Sequence, residues 1–367
     1  MSRLSRIPLR AGGALAALVT AVLLMASQTA AAAGWIMENR TSLQIIAEEK
    51  ATETLPVNGF VGLMVLYAAL VETPRGDAGV TLTAGGADAA PKAAAEKKKA
   101  GADEKKVVEA ARRFIAKPDG GTLKALVAST GLSEKAFVEH MNAAASSLGM
   151  HQTLYKTPYN DERAEEKDYE NRTTLADQLI LLKALLKNRP DLITFANAPK
   201  APFNPNLAMP YRLGDAAVFG MGPGTIDVAL VEAGEQELSE TASMLYNLGA
   251  YETETVALYK KGQVIATPPV YLGRVSEVPA VVDSDVSVTL PRKRFIEAGG
   301  DPLKVVLRRT SPLLAPLEKN AKIGELVISY DDKELKRIPV RAASDVEKGG
   351  QWRQFVDTLK LTLNLDR

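Results

Sequence analysis

Between residues 55 and 72, "LPVNGFVGLMVLYAALVE", the apolar positions follow a helical rhythm. Leu63, Leu66, Tyr67 and Leu70 fall on one face, and Met64, Val65 and Val71 widen that face to most of the circumference. A helix so patterned is buried on most sides and belongs at the centre of a domain. Ahead of it, Trp35, Ile36 and Met37 and then Leu43, Ile45 and Ile46 flank the polar string "ENRTS", which predicts a β-hairpin. From Asp103, the face Val107, Val108, Ala111, Phe114 and Ile115 predicts a helix that stops at Pro118, Asp119 and Gly120. Ser133 stands where it can cap a helix burying Phe137, Val138 and Met141 and ending at Gly149. Another helix carries Leu175, Leu179, Leu182 and Leu186 on its face and ends over Asn188 to Pro190.

After a proline-rich connection (Pro202, Pro205, Pro210), "AAVFGMGPGTIDVALVEAG" joins a glycine-rich turn to a strand, and "ELSETASMLYNLGAY" is a helix. "TETVALYKKGQVIATPPVYLG" reads as strand, Lys-Gly turn and strand. From Val278 the rhythm changes to short alternating strands, "AVVDSDVSVTLP", "LKVVLRRT" and "ELVISYDDKELKRIPVRA", a pattern of small β-sandwiches. The tail "GGQWRQFVDTLKLTLNLDR" places Trp352, Phe355, Val356, Leu359 and Leu363 on one helical face.

Two stretches stand outside this order. Residues 1–33 carry Arg3, Arg6 and Arg10, an apolar run from Ala14 to Met25, and a small-residue tract ending Ala31 to Ala33, the pattern of a secretory signal peptide. The run is shorter than the roughly 20 residues that span a bilayer, so an exported protein without a transmembrane helix is expected. Residues 76–106, rich in Ala, Gly, Lys and Glu, form a low-complexity insertion with few core-forming groups.

Composition removes several chemistries. The chain has no cysteine, which excludes disulfides, thiolate nucleophiles and thiolate metal sites. Its 45 Lys and Arg balance 44 Asp and Glu, so nothing drives nucleic-acid binding. Only His140 and His151 are present, which argues against a metal site, and no cofactor is indicated. The Asn-Arg-Thr triplets at Asn39 and Asn171 match a glycosylation acceptor but are expected to carry no sugar, given a signal of bacterial appearance.

The passages from "LGAYETETVALYKKGQVIATPPVYLGRV" to "SPLLAPLEKNAKIGELVISYDDKEL", together with "SEKAFVEHMNAAASSLGM" and "NRTTLADQLILLKALLKNRPDL", resemble the low-molecular-weight penicillin-binding proteins, the serine D-alanyl-D-alanine carboxypeptidases of bacterial cell walls. The resemblance covers most of the mature chain and is interrupted mainly at 73–117. It implies an α/β (α+β) penicillin-binding/β-lactamase-like transpeptidase domain over 34–274, with a mainly antiparallel sheet flanked by helices. A small β-sandwich domain over 275–346 and an amphipathic tail over 347–367 follow.

That family works through S-x-x-K, S-x-N and K-T-G motifs around one cleft. Carried across, the first motif falls on "GFVG", with Gly59 in place of the serine and Gly62 in place of the lysine. The second falls near "KPDGG", at Pro118 and Gly120, and the third on Gly222, Pro223 and Gly224. All three are degenerate, so the resemblance implies a catalytically silent homologue acting in peptidoglycan metabolism by binding a wall peptide or a cell-wall protein. An active carboxypeptidase with a relocated nucleophile and a membrane-associated structural adaptor are the other readings. Ser129 and Thr130, the nearest hydroxyls to the second motif, read as a turn or cap, and "GMGPG" lacks the lysine of a phosphate loop. The tail is expected either to lie on the outer face of the cytoplasmic membrane, as in the resembled family, or to pack on its own domain.

Overall fold

The computed structural model describes residues 34–56, 59–72, 104–160, 170–221, 227–292 and 302–363. Residues 1–33, expected as a signal segment, most of the insertion expected over 76–106, and residues 222–224 lie outside them. The described residues divide into two units, one covering residues 34–40 and 45–250, the other Thr41–Gln44 and residues from Tyr251 onward.

The first unit is built on a six-stranded sheet. Its strands are β1 (Gly34–Asn39), β2 (Gln44–Glu49), β5 (Lys200–Ala201), β6 (Asn204–Leu213), β7 (Ala216–Met221) and β8 (Asp227–Glu232). Their order is β2-β1-β8-β7-β6-β5, and the pairs β1/β8, β8/β7, β7/β6 and β6/β5 are antiparallel. The short strands β3 (Leu55–Pro56) and β4 (Arg172–Thr173) pair separately. β1 is buried along its whole length because helices cover both faces of the sheet. On one face Ile36, Val218, Val228 and Leu230 join α1 (Val61–Tyr67), α2 (104–116), α3 (Gly120–Ser129), α4 (Glu134–Leu148) and α5 (Leu175–Asn188). On the other, Trp35, Met37, Phe219, Ala229 and Val231 meet Leu238, Ala242 and Leu245 of α6 (Glu235–Asn247). Neighbouring residues of one strand thus enter different cores, as a period of two demands.

Most of the elements expected in this unit are present. The hairpin forms, and α1 is buried throughout and continues as a wider turn over Ala68–Glu72. Ser133 accepts a hydrogen bond from Ala136 N at 3.3 Å, and Gly149 closes α4 with φ 79°. The proline-rich stretch is a correction: residues expected as a connection form β5 and the ten-residue β6. Pairing shifts between Ala208 and Tyr211, so Pro210 falls in a bulge, where a residue without N–H costs the ladder nothing. Asn39 and Asn171 are 2% and 1% exposed, which closes both glycosylation triplets.

The second unit holds a five-stranded sheet, in order β10 (Val264–Ala266), β12 (Ala280–Val282), β17 (Lys333–Ala342), β16 (Lys322–Tyr330) and β14 (Leu303–Arg309). Two-stranded sheets β9 (Thr253–Tyr259)/β13 (Val286–Pro291) and β11 (Val270–Tyr271)/β15 (Leu313–Leu314) complete it. Val288, Leu290, Ile328 and Val340 lie in its shared core. The strand, Lys-Gly turn and strand expected at 253–271 form, and their partners come from elsewhere: β9 pairs with β13 and β10 with β12. Those long-range pairings draw residues 251–274 into this unit, so the division falls earlier in the chain than the 274/275 boundary expected from the alternating strands. A last helix, α7 (Gln351–Thr362), closes the described chain.

Candidate functional site

The start of α1 is packed shut. Gly59, in the turn before the helix, and Gly62, in its first turn, are both buried. A Cβ on Gly59 would lie 2.3 Å from the Leu213 carbonyl oxygen and 2.5 Å from Ala216 Cβ. One on Gly62 would lie 2.5 Å from the Tyr211 hydroxyl and 2.6 Å from Phe114 Cζ. Side chains do not approach so closely, so the contacts demand glycine at both positions. The Tyr211 side chain fills the space: its hydroxyl donates to the Gly59 carbonyl at 2.6 Å, and its ring meets Phe114 edge-on at 6.3 Å. Burial raises this phenol well above its ordinary pKa, with Tyr155 adding to the effect, so Tyr211 is a neutral donor and not a base.

The strand against this helix start is β6, which contributes Tyr211 and Leu213. Gly222, Pro223 and Gly224, expected to mark the third motif, follow Met221 in the β7–β8 connection and lie outside the described residues. Pro118 and Gly120 stand at the junction of α2 and α3, and α3 packs on α1. Between them Asp119 caps α3, its carboxylate accepting from Thr122 N at 2.8 Å while the Thr122 hydroxyl accepts from Asp119 N at 3.2 Å. These bonds and Lys117 hold the Asp119 carboxyl at about 2. It is a structural anion, too acidic for proton transfer near neutrality. A Cβ on Gly120 would meet nothing within 4 Å, in contrast to Gly59 and Gly62.

Hydroxyls that could stand in for the serine are engaged locally. Ser129 donates to Leu126 O at 2.7 Å, Thr130 to Val127 O at 2.6 Å and Ser147 to Ala144 O at 2.8 Å. Deeper in the unit, Gln178 donates to Tyr155 Oη at 3.0 Å and Thr173 Oγ1 at 2.9 Å, and Thr153 Oγ1 donates to Asp177 Oδ2 at 2.7 Å. This network ties α5 to β4 and to the 153–155 segment, although Gln178 Oε1 is buried without a partner. Two sheet acids are perturbed. Burial pushes Glu232 up to about 8, with Asp215 adding to it, and pushes Asp227 up to about 6 against the opposing hydrogen bond from Asn39. Among the described residues no cluster of His, Asp or Glu could hold a metal ion.

In α7 the docked face is the polar one. Asp357 is 4% exposed and accepts from Leu272 N at 2.7 Å, whereas Trp352, Phe355, Leu359 and Leu363 are 76%, 59%, 48% and 56% exposed. Val356, on the same arc, is half-buried. Trp352 and Phe355 stack at 5.9 Å. Of the two expectations for the tail, packing of the apolar face on its own domain is thereby overturned: a buried carboxylate must be hydrogen bonded, and the backbone N–H it needs lies under the opposite face. No described helix is long and apolar enough to cross a membrane.

Both units carry a known fold. Residues 254–348 match the family model described as penicillin-binding protein 5, C-terminal domain. The solved penicillin-binding protein 5 of Haemophilus influenzae superposes with a TM-score of 0.60 at 14% identity, covering 86% of this chain and 97% of that one. The D-alanyl-D-alanine carboxypeptidase DacD of Francisella tularensis gives 0.55 at 15% identity, over 88% and 95%. The architecture is therefore that of the penicillin-binding proteins. In sequence, the D-alanyl-D-alanine carboxypeptidase DacA of Escherichia coli is 25% identical over 253 residues, 62% of this chain and 60% of that protein. The match thus spans about three fifths of that relative's length. The chain is thus similar to the low-molecular-weight penicillin-binding protein family, the family of the D-alanyl-D-alanine carboxypeptidases, and its residues 254–348 match that family's C-terminal domain.

The glycines at 59 and 62 were legible as missing side chains; the plug was not. Phe114 carries only the signal of a core helix position, and Tyr211 sits in a stretch that its prolines disguise as a connection. Nothing in the local pattern points to either as an occupant of this site.

Proposed function

We propose that this chain is an exported, non-catalytic member of its family that acts in peptidoglycan metabolism by binding a wall peptide or a wall protein. The observation that carries the reading is the closure of the first motif: both glycines face atoms within 2.6 Å of where a Cβ would stand. A serine hydroxyl and a lysine amine are absent, and so is the space they would occupy. Losing a nucleophile of this kind costs on the order of 10⁶ in kcat, which leaves no useful turnover on an amide. Covalent capture of penicillin needs the same hydroxyl. Incubating the purified protein with a fluorescent penicillin should give no labelled band after denaturation. A band mapping to one serine would overturn the reading in favour of an active carboxypeptidase with a relocated nucleophile, and release of D-alanine from a pentapeptide would complete that reversal.

A second reading concerns α7, whose exposed apolar arc fits a lipid surface. Weighted by their exposure, Trp352, Phe355, Leu359 and Leu363 offer roughly 450 Å² of apolar surface. That is below the ~800 Å² each partner contributes to a stable protein interface. It suits an interfacial helix, with stacked aromatics at one end and Arg353 and Lys360 beside the arc for anionic headgroups. Vesicle co-sedimentation of wild type and the double variant Trp352→Ala, Phe355→Ala checks it. Binding should fall at least about tenfold in the variant, whereas concentration-dependent dimerisation without vesicle binding would assign the face to a second copy.

A further inference from the structure

We propose that Asp357 is a positioning residue that fixes the rotation of α7, so that the apolar face is presented outward in the free protein; the lipid as its target rests on the second reading above. In water an amphipathic helix on a flexible tether rolls its hydrophobic arc inward, because burying apolar area is favourable. Here the helix is turned the other way. Its root is stitched backbone to backbone, with Gly349 N donating to Leu272 O at 2.9 Å and Arg274 N to Glu347 O at 2.8 Å. The strands are so close there that a Cβ on Gly349 would lie 2.7 Å from Gly273 O. Two turns further on, Asp357 Oδ2 accepts the N–H of the same Leu272 at 2.7 Å, with Arg353 Nε at 3.4 Å on the same oxygen. Gln354 Nε2 donates to Gly349 O at 2.6 Å.

Leu272 therefore holds the helix at two points, its carbonyl at the root and its N–H at the body. It does so from the left-handed region, φ 62°, which a leucine rarely adopts. Rolling the helix would break a hydrogen bond to a buried carboxylate, among the stronger bonds available to the chain. The apolar face then meets its target already ordered, without the cost of folding the helix there.

Amide hydrogen exchange of the full chain without lipid tests the rotation lock, and co-sedimentation with phosphatidylethanolamine vesicles containing phosphatidylglycerol tests its consequence. In Asp357→Leu, exchange over 351–362 should rise by about 10- to 100-fold, the size expected from losing one hydrogen bond to a charged acceptor. Vesicle binding should weaken by about tenfold. Asp357→Asn, which keeps an oxygen acceptor but not its charge, should fall between wild type and Asp357→Leu in both measurements. Wild-type protection over 351–362 in Asp357→Leu overturns the proposal whatever the vesicles do. So does an equal loss of protection in β12, β16 and β17, which would make Asp357 a general stability residue. Wild-type protein that binds no vesicle refutes the lipid reading instead, and the exchange data still judge Asp357.

Discussion

Gly62→Ala adds one methyl group at a crowded point of the first unit, and its cost can be worked from the contacts. The new Cβ would stand 2.5 Å from the Tyr211 hydroxyl and 2.6 Å from Phe114 Cζ, so both rings must retreat by about 1 Å. Overpacking of this kind costs about 1–3 kcal/mol. The Tyr211 hydroxyl cannot retreat freely, because it donates to Gly59 O at 2.6 Å. Displacing it strands a buried donor and acceptor, for a further ~1–3 kcal/mol. Alanine returns about 1 kcal/mol through its better helix propensity. The net loss is about 1–5 kcal/mol, large against a typical total stability of about 5–15 kcal/mol. Thermal unfolding followed by circular dichroism should show a midpoint lowered by roughly 2–20 °C. Gly120→Ala is the control, since its Cβ meets nothing within 4 Å and the midpoint should hold or rise slightly. Adding Phe114→Leu to Gly62→Ala should recover at least about 1 kcal/mol relative to the sum of the single effects. A Gly62→Ala protein that melts at or above wild type, or that shows no coupling to Phe114, would refute the closed-site reading.

Two further measurements probe the same unit. Tyr211→Phe keeps the ring that plugs the site and removes only the bond to Gly59 O, so urea unfolding should show a loss of about 1–2 kcal/mol with no gain of penicillin labelling. Glu232 and Asp227 have folded-state pKa values raised to about 8 and about 6. Their contributions are fully present below their ordinary values near 4 and are lost as pH rises through the raised ones. Stability should therefore fall between pH ~4.5 and ~8. Glu232→Gln, neutral at every pH, should flatten the upper part of that slope in urea midpoints taken across it, and an unchanged slope would show that Glu232 is ionised in the folded protein.

Periodicity and end signals were enough for the helices. Ser133 and Gly149 bracket α4, and the wide apolar arc of α1 announces its burial, because each signal is satisfied within one turn of its own residue. The strands around 200–213 are not legible locally because proline breaks most strands, and only a partner strand can supply the bulge that tolerates Pro210. The pairings of β9 with β13 and β10 with β12 are equally illegible, since hydrogen bonds between distant segments leave no local mark.

By itself, then, the sequence determined what this protein lacks: cysteine, charge imbalance, and a serine and lysine at 59 and 62. It also determined the amphipathic character of α7, which depends only on residue order along one helix. Only the tertiary structure decided that Gly59 and Gly62 sit in contacts too tight for a side chain, because Leu213 and Ala216 crowd the first and Tyr211 and Phe114 the second, all from elements far away in the chain. It also decided which way α7 faces. Amphipathicity names two faces but does not choose between them; a single backbone N–H at Leu272, placed by the fold, tied Asp357 inward and left the apolar residues outside.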